Sequence, residues 1–362
     1  MDDQFKSILG VHNEAANCFR DPIARISDTA CKPTDTWLQE IHISYAESQT
    51  FASMVSADPF DSEAAADRCS IFANQAENSL AAEKINQINK FPRSCHDALL
   101  IRGFQPDRNI PETPYEDVSC HRQFPLLTAS ILAIFGMMGI HPVAYAGEER
   151  SSYIRNISPY RQAEQSKSSH GSKIKLGFHV DNPHLPLASE PLKGVSACPE
   201  FLCLMGARCE PNAPTKIISL KSILAKMPDF LRDQLSAPDF AAKRPESFGE
   251  SIQIASGLPL IAPDGDGGFL TRYNEASVRG QSPAVSFFLH LFSALIGAER
   301  PTDILLRPGD LILFKNQKVL HARDQFSPRY DGADRWMLRI FGISDISRII
   351  PASTSQPFLG KS

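Results

Sequence analysis

Three short segments carry metal-ligating and anion-binding side chains at spacings that chemistry can use. In His179-Val180-Asp181 an imidazole and a carboxylate stand two residues apart. On a β-strand, residues i and i+2 project from the same face, so both could reach one metal ion. The pattern is cheap on its own: His12-Asn13-Glu14 has it too, with no supporting context. A second histidine, His321, closes the run Arg307-Pro-Gly-Asp-Leu-Ile-Leu-Phe-Lys-Asn-Gln-Lys-Val-Leu-His321, in which a Pro-Gly turn launches a strand. The third segment is Arg335-Trp-Met-Leu-Arg-Ile-Phe. Strand alternation puts Arg335, Met337, Arg339 and Phe341 on one face and Trp336, Leu338 and Ile340 on the other. Two arginines on so apolar a strand are costly to bury without an anion, and the planar guanidinium suits a carboxylate.

Together these residues fit one chemistry. Two histidines and one carboxylate on one face of an octahedral ion leave three positions open, the arrangement of non-haem Fe(II) oxygenases. Two of those positions take a chelating keto acid and the third takes oxygen. An arginine deeper in the fold would then anchor the keto acid's far carboxylate.

The elements that must position these groups differ along the chain. The first 90 residues read as helical, with Trp37, Ile41, Tyr45 and Phe51 near helical spacing and an Ala/Glu/Asn-rich stretch from Asp61 to Lys90. A short buried strand is expected from His96 to Phe104, and a buried helix from Leu126 to Met138. Beyond His141 short apolar runs alternate with Gly, Pro, Asn and Asp, as in Glu200–Met205, Lys216–Leu220, Asp310–Phe314 and Trp336–Phe341, which predicts a strand-built core. One helical insertion is expected over Leu220–Ser236, and Ser282–Ile296 reads as a helix or a helix–strand pair. Asp264-Gly-Asp266 mimics a calcium loop, but Gly268 and Phe269 stand where an oxygen ligand and the glycine belong, so it reads as a hairpin turn. The expected fold is α+β: a double-stranded β-helix (jelly roll) wrapped by helices, with a helical N-terminal region.

Composition excludes more than it assigns. The chain has 362 residues, 42% hydrophobic and 22% charged, which is ordinary globular composition. Thirty-seven basic against 41 acidic residues give a net charge of -4, which argues against a general nucleic-acid binder. The eight cysteines form no CxxC pair and no zinc-ribbon spacing, so they read as reduced thiols. The run from Phe124 to Ile140 is too short for a bilayer and carries Pro125, Gly136 and Gly139. Met1-Asp-Asp-Gln-Phe-Lys6 lacks a signal-peptide pattern, so a cytoplasmic location is expected. No nucleotide-binding glycine motif and no GxSxG appear.

The sequence resembles the clavaminate synthase-like branch of the Fe(II)/2-oxoglutarate dioxygenases, and more distantly taurine dioxygenase. The family's Gln-Asn-(Ile/Val)-x-Pro block, Ser/Gly-rich loop and His-Thr-Glu-Asn motif are similar to Arg155-Asn156-Ile157-Ser158-Pro159, residues 166–171 and His179-Val-Asp181-Asn182. Its distal block is similar to Pro308-Gly-Asp-Leu through His321-Ala-Arg323, then Phe326-Ser-Pro-Arg-Tyr-Asp-Gly-Ala-Asp-Arg335-Trp-Met-Leu-Arg339. The likeness runs from about Ala144 to Asp345, and Leu99–Phe104 resembles the family's first core strand.

The resemblance implies that His179, Asp181 and His321 ligate iron. Arg335, fourteen residues beyond His321, would pair with the 2-oxoglutarate C5 carboxylate, assisted by Thr215. It also implies that Arg339 meets the substrate, usually at its α-carboxylate, and that Asn156, Ser169 and Asn182 line the pocket. Asp181 replaces the branch's frequent glutamate. Because a carboxylate is present, the halogenating variant, which leaves that position to chloride, is not expected. Arg272 and Asn274 stand where arginine hydroxylases of this branch use acids, which weighs against a cationic substrate side chain.

The expectation is a single Fe(II)- and 2-oxoglutarate-dependent oxygenase domain over residues 1–362, comprising an N-terminal region 1–95, a core 96–345 and a tail 346–362. It would use O2 to hydroxylate a free or carrier-linked L-amino acid or derivative, with no nucleic-acid or membrane partner and the oligomeric state open. Desaturation or oxidative cyclisation at the same site stays open. So do a non-catalytic jelly-roll binding protein and a cupin-type metal isomerase.

Overall fold

The strand Trp336–Ile343 is buried at all eight positions, and the rest of the fold is layered about it. Its outward side chains Trp336, Leu338 and Ile340 pack with the helices, while Met337 and Phe341 join an interior cluster on its other face. In the computed structural model the described residues are 37–55, 65–116, 124–249 and 253–362, all within the compact unit Thr36–Ser362.

The strand is central in a nine-stranded sheet. It pairs antiparallel with Phe201–Arg208 and, on its other edge, with Arg155–Ile157 and His141–Tyr145. Beyond Phe201–Arg208 the sheet continues through Leu311–Lys315, Ala98–Arg102 and Leu38–His42. A four-stranded sheet orders Thr302–Ile304, Thr215–Ser219, Val319–Arg323 and Leu176–His179. Leu202, Leu204, Ile312 and Phe314 from the large sheet share one buried cluster with Ile217, Ile304 and Val319 from the small one, so the two sheets meet face to face. Helices Ala65–Glu77, Ala82–Lys90 and Pro125–Met138 cover the outer face of the large sheet. Helices Leu220–Leu224, Asp229–Ser236 and Pro283–Ala298 cover the outer face of the small one.

Local chemistry accounts for the elements. The helix Pro125–Met138 begins with proline at its first turn and ends at Gly139 in the left-handed region (φ 65°). Asp107 accepts from the Leu126 and Leu127 amides at 3.0 and 3.1 Å, satisfying donors that the first turn leaves open. Ser282 caps Pro283–Ala298 through the Val285 amide, and that segment is one continuous helix. The hairpin expected around Asp264 is present, with strands Ile261–Pro263 and Phe269–Thr271. Asp264 there accepts from the Asp266 and Gly268 amides and pairs with Lys318 at 2.6 Å.

Two expectations fail for identifiable reasons. Trp37 and Ile41 lie at the edge of a strand, Leu38–His42, and not on a helix. A four-residue spacing keeps one face in both a helix and a strand, so it could not separate them. Tyr45 is 80% exposed and takes no part in that face, whereas Phe51 is buried. The insertion expected over Leu220–Ser236 is two helices, because Pro228 disfavours helical backbone at Met227. The helical reading of residues 1–36, with His12-Asn13-Glu14, lies outside the described residues. No helix among the described residues is long and apolar enough to cross a membrane.

Candidate active site

His179 ends the strand Leu176–His179, and antiparallel pairing places it directly opposite His321 on Val319–Arg323. The imidazole rings lie 4.0 Å apart by centroid. Asp181 follows in the loop, its Oδ1 3.5 Å from His179 Nε2 and 3.9 Å from His321 Nε2. One ligand atom from each residue falls within 4.8 Å of the others. Two sheet neighbours and a loop carboxylate therefore supply one compact N,N,O donor face.

The loop carboxylate is held by its own backbone. Asn316, fully buried in the turn before Val319–Arg323, accepts from the Asp181 amide at 3.0 Å and donates to the Asp181 carbonyl at 3.1 Å. The Cys198 thiol donates to the same carbonyl at 3.3 Å.

The protonation pattern suits a metal. His179 Nδ1 lies 2.9 Å from the Gly177 carbonyl, a contact that orients the ring with Nε2 toward Asp181. Burial, with His179 and Arg339 adding to it, pushes His321 down to about 3, so its imidazole is neutral near pH 7. Burial raises the Asp181 carboxyl, but the hydrogen bond from His179 and the charge of Arg339 hold it below the usual carboxylate range. Two imidazoles and a carboxylate turned to one point are the donor set that Fe(II) takes in facial sites.

Two spaces meet at this triad. An inner cavity of about 50 Å³ lies between the sheets, walled by Leu202, Leu204, Thr215, Arg323, Arg335 and Met337. An outer cleft of about 620 Å³ is walled by Glu148, Arg155, Ser169, Asn182, Arg244 and Asn274. His179, Asp181 and Arg339 border both.

Arg335 is buried and donates to Thr215 Oγ1 at 3.2 Å, so the two residues expected to act together do meet. Burial, reinforced by the nearby Arg323 cation, pushes Arg335 down to about 9. Arg339 Nη1 donates to Asp181 Oδ2 at 3.3 Å, and its Nη2 to Glu148 Oε1 at 2.8 Å. Ser169 borders both spaces. Asn182 borders the cleft in left-handed backbone (φ 54°), a conformation Asn adopts more readily than most residues.

Asn156 is the exception among the expected pocket residues. Its Oδ1 accepts from Trp336 Nε1 at 2.9 Å on the helix-covered side of the sheet. Its neighbours Arg155 and Ile157, one position either way, border the cleft and the inner cavity instead. Arg272 also points elsewhere: it is wholly buried, ion-paired with Glu190 and donating to the Pro183, Leu185 and Pro259 carbonyls. Asn274 does reach the cleft.

Sequence reasoning missed Glu148, Arg155 and Asn316. Glu148 is 4% exposed and pairs with both Arg155 and Arg339, although Gly147-Glu-Glu-Arg150 reads as a solvated turn. Arg155 was within reach of strand alternation, since Ile157 shares its face. Asn316 left no signal, because its partner is 135 residues distant.

No family model matches the chain. L-asparagine oxygenase of Streptomyces coelicolor is 28% identical over 69% of this chain and 72% of its own. L-lysine 3-hydroxylase of Catenulispora acidiphila is 26% identical over 71% and 70%, and clavaminate synthase 2 of Streptomyces clavuligerus 26% over 67% and 73%. Among solved structures, asparagine oxygenase with Fe(II), 2S,3S-3-hydroxyasparagine and succinate superposes with TM-score 0.74 at 22% identity, covering 89% of this chain and 99% of that one. The iron oxygenase OrfP with Fe and alpha-ketoglutaric acid gives 0.72 at 20%, covering 89% and 100%. The mixed α/β fold with its large sheets is thus that of the Fe(II)/2-oxoglutarate oxygenases. In sequence the chain is similar to clavaminate synthase-like amino-acid oxygenases, and its His179, Asp181 and His321 form a donor cluster that could hold a metal ion.

Proposed function

We propose that this protein hydroxylates an unactivated C–H bond of a free or carrier-linked L-amino acid or derivative in specialised metabolism. The observation that carries the reading is the junction of the two spaces: a facial donor triad with a buried arginine–threonine pair on one side and an arginine–glutamate pair on the other. Iron held there with 2-oxoglutarate and dioxygen supplies the oxidising power that turns C–H into C–OH, the keto acid leaving as succinate and carbon dioxide.

The chain's own residues bind, orient and exclude water. His179, Asp181 and His321 would hold the metal, with Asn316 fixing the Asp181 backbone so that its carboxylate need not reorganise. Arg335 and Thr215 would hold the C5 carboxylate of 2-oxoglutarate in the inner cavity, where Leu202, Leu204 and Met337 keep water out. Arg339 would take the substrate's α-carboxylate at the inner edge of the cleft, its guanidinium fixed by Glu148. Ser169 and Asn182 would line the same end. A cleft of about 620 Å³ is ample for an amino acid and lies within the usual range of ligand pockets. We read the two facing sheets as a double-stranded β-helix, or jelly roll, and the described residues as one oxygenase domain. The five described cysteines are all unpaired, which suits a reducing, cytoplasmic setting.

The test is incubation with iron, ascorbate and 2-oxoglutarate over an amino-acid panel, with mass spectrometry of the products. A gain of one oxygen on an amino acid, matched by succinate, is expected. Succinate alone across the panel would shift the reading to a carrier-bound substrate, and no succinate at all would overturn it.

A further inference from the structure

Arg335 is not the only guanidinium in the inner cavity. Arg323 ends the strand Val319–Arg323, is 4% exposed and lines the same space. Strand register sets its direction. It lies two residues beyond His321, hence on the same face, and its cross-strand partner is Thr215, which already receives Arg335. Three polar groups from neighbouring positions therefore line the same cavity.

The side chain is not spent elsewhere. Its Nη1 donates to the Asp324 carbonyl at 2.9 Å, and its Cζ lies 5.1 Å from the Phe326 ring centre. Its Nη2 is buried and has no hydrogen-bond partner. Among the described residues the only acid bordering the cavity is Asp181, which is already committed to the two imidazoles and Arg339. Burying a second guanidinium beside Arg335 without an anion is unfavourable for both. Such an arrangement is stable only when an anion arrives.

We infer that Arg323 is a second cationic anchor for the co-substrate, its free Nη2 meeting the distal carboxylate of a dicarboxylic keto acid that Arg335 and Thr215 grip from the other side. The two-arginine end would make the site select a dianionic keto acid over one with an uncharged tail. This rests on the oxygenase reading above.

The test compares 2-oxoglutarate with 2-oxovalerate, which keeps the chelating keto acid and replaces the distal carboxylate by an alkyl end. Both are titrated calorimetrically into Mn(II)-loaded wild type, Arg323→Met and Arg323→Lys. Arg323→Met should weaken 2-oxoglutarate by about tenfold or more, the worth of one charge-assisted hydrogen bond, and leave 2-oxovalerate within about twofold. Arg323→Lys should fall between. An unchanged ratio of the two affinities in Arg323→Met would overturn the inference and leave Arg323 as a brace for residues 324–326. If both variants lose 2-oxovalerate too, a crystal structure of the wild type with N-oxalylglycine decides. Arg323 Nη2 at about 3 Å from the distal carboxylate supports the anchor, and separation beyond hydrogen-bond reach ends it. Binding of neither keto acid to wild type would instead defeat the oxygenase reading itself.

Discussion

The two spaces that meet at the triad are built on opposite principles. The inner cavity is small, walled by Leu202, Leu204, Met337 and buried arginines, and set between paired strands that fix every side chain by register. The outer cleft is more than ten times larger and lined mostly by polar residues, and much of its wall comes from the segments 162–169 and 243–247, outside the two main sheets. A partner that never changes can be met by a small receptor built on paired strands. A partner that differs between relatives is met by loops, which accept substitution without disturbing the core. The difference predicts that the inner space serves the co-substrate and that the cleft, walled largely by loops, serves the substrate.

That contrast can be broken in graded ways. The largest effect is expected at the shared junction, where Asp181→Ala should lower metal affinity by more than about a hundredfold, beyond the range seen for outer supporting residues, and abolish turnover. Metal titration and product assay check both. Next, Arg335→Met should raise the KM for 2-oxoglutarate by roughly tenfold to a hundredfold while leaving the amino-acid KM nearly unchanged, and Arg339→Met should do the reverse. If either variant moved both constants equally, the division into two receptors would be wrong. Asn316→Ala should cost about tenfold in metal affinity without removing a ligand, read by the same titration.

Asn156→Ala tests the corrected orientation of that residue. It should lower stability by about 1–3 kcal/mol through the lost Trp336 partner, with the substrate KM unchanged. A raised KM at constant stability would return Asn156 to the pocket.

The last effect lies away from both spaces and concerns pH. Burial, with Arg244 and Arg272 nearby, pushes His184 down to about 3, and neither ring nitrogen has a partner. Its folded pKa lies below the unfolded value near 6.5, so the unfolded chain takes up the proton first. Stability should then fall as pH drops from about 6.5 toward 3, by up to about 1.4 kcal/mol per pH unit from this group. Denaturant unfolding across that window, compared with His184→Leu, isolates the contribution, which the variant should lose.

What was legible in the sequence follows the range of the interactions. His179 and Asp181, and likewise Arg335 and Arg339, lie at even spacings on or beside strands, where period-two geometry decides direction; His179, Asp181 and Arg339 border both spaces and Arg335 the inner one. Alternation along Trp336–Ile343 was readable for the same reason, and the proline-to-glycine helix from Pro125 to Gly139 announced both its ends. The strand Leu38–His42 was hidden because a spacing of four satisfies two periodicities, and its partner lies some sixty residues on. Asn316 and the Arg339 contact of Glu148 were hidden because those partners are remote in sequence, and short polar runs do not distinguish a buried turn from a solvated one.

The central claim is that His179, Asp181 and His321 hold iron so that 2-oxoglutarate chelates it. Visible absorption under strict exclusion of oxygen tests this most directly, as Fe(II) is added to the protein with 2-oxoglutarate present. The account predicts a charge-transfer band that saturates at about one iron per chain and is absent from His179→Ala. A wild type with no band, or a His179→Ala variant that keeps it, would contradict the site.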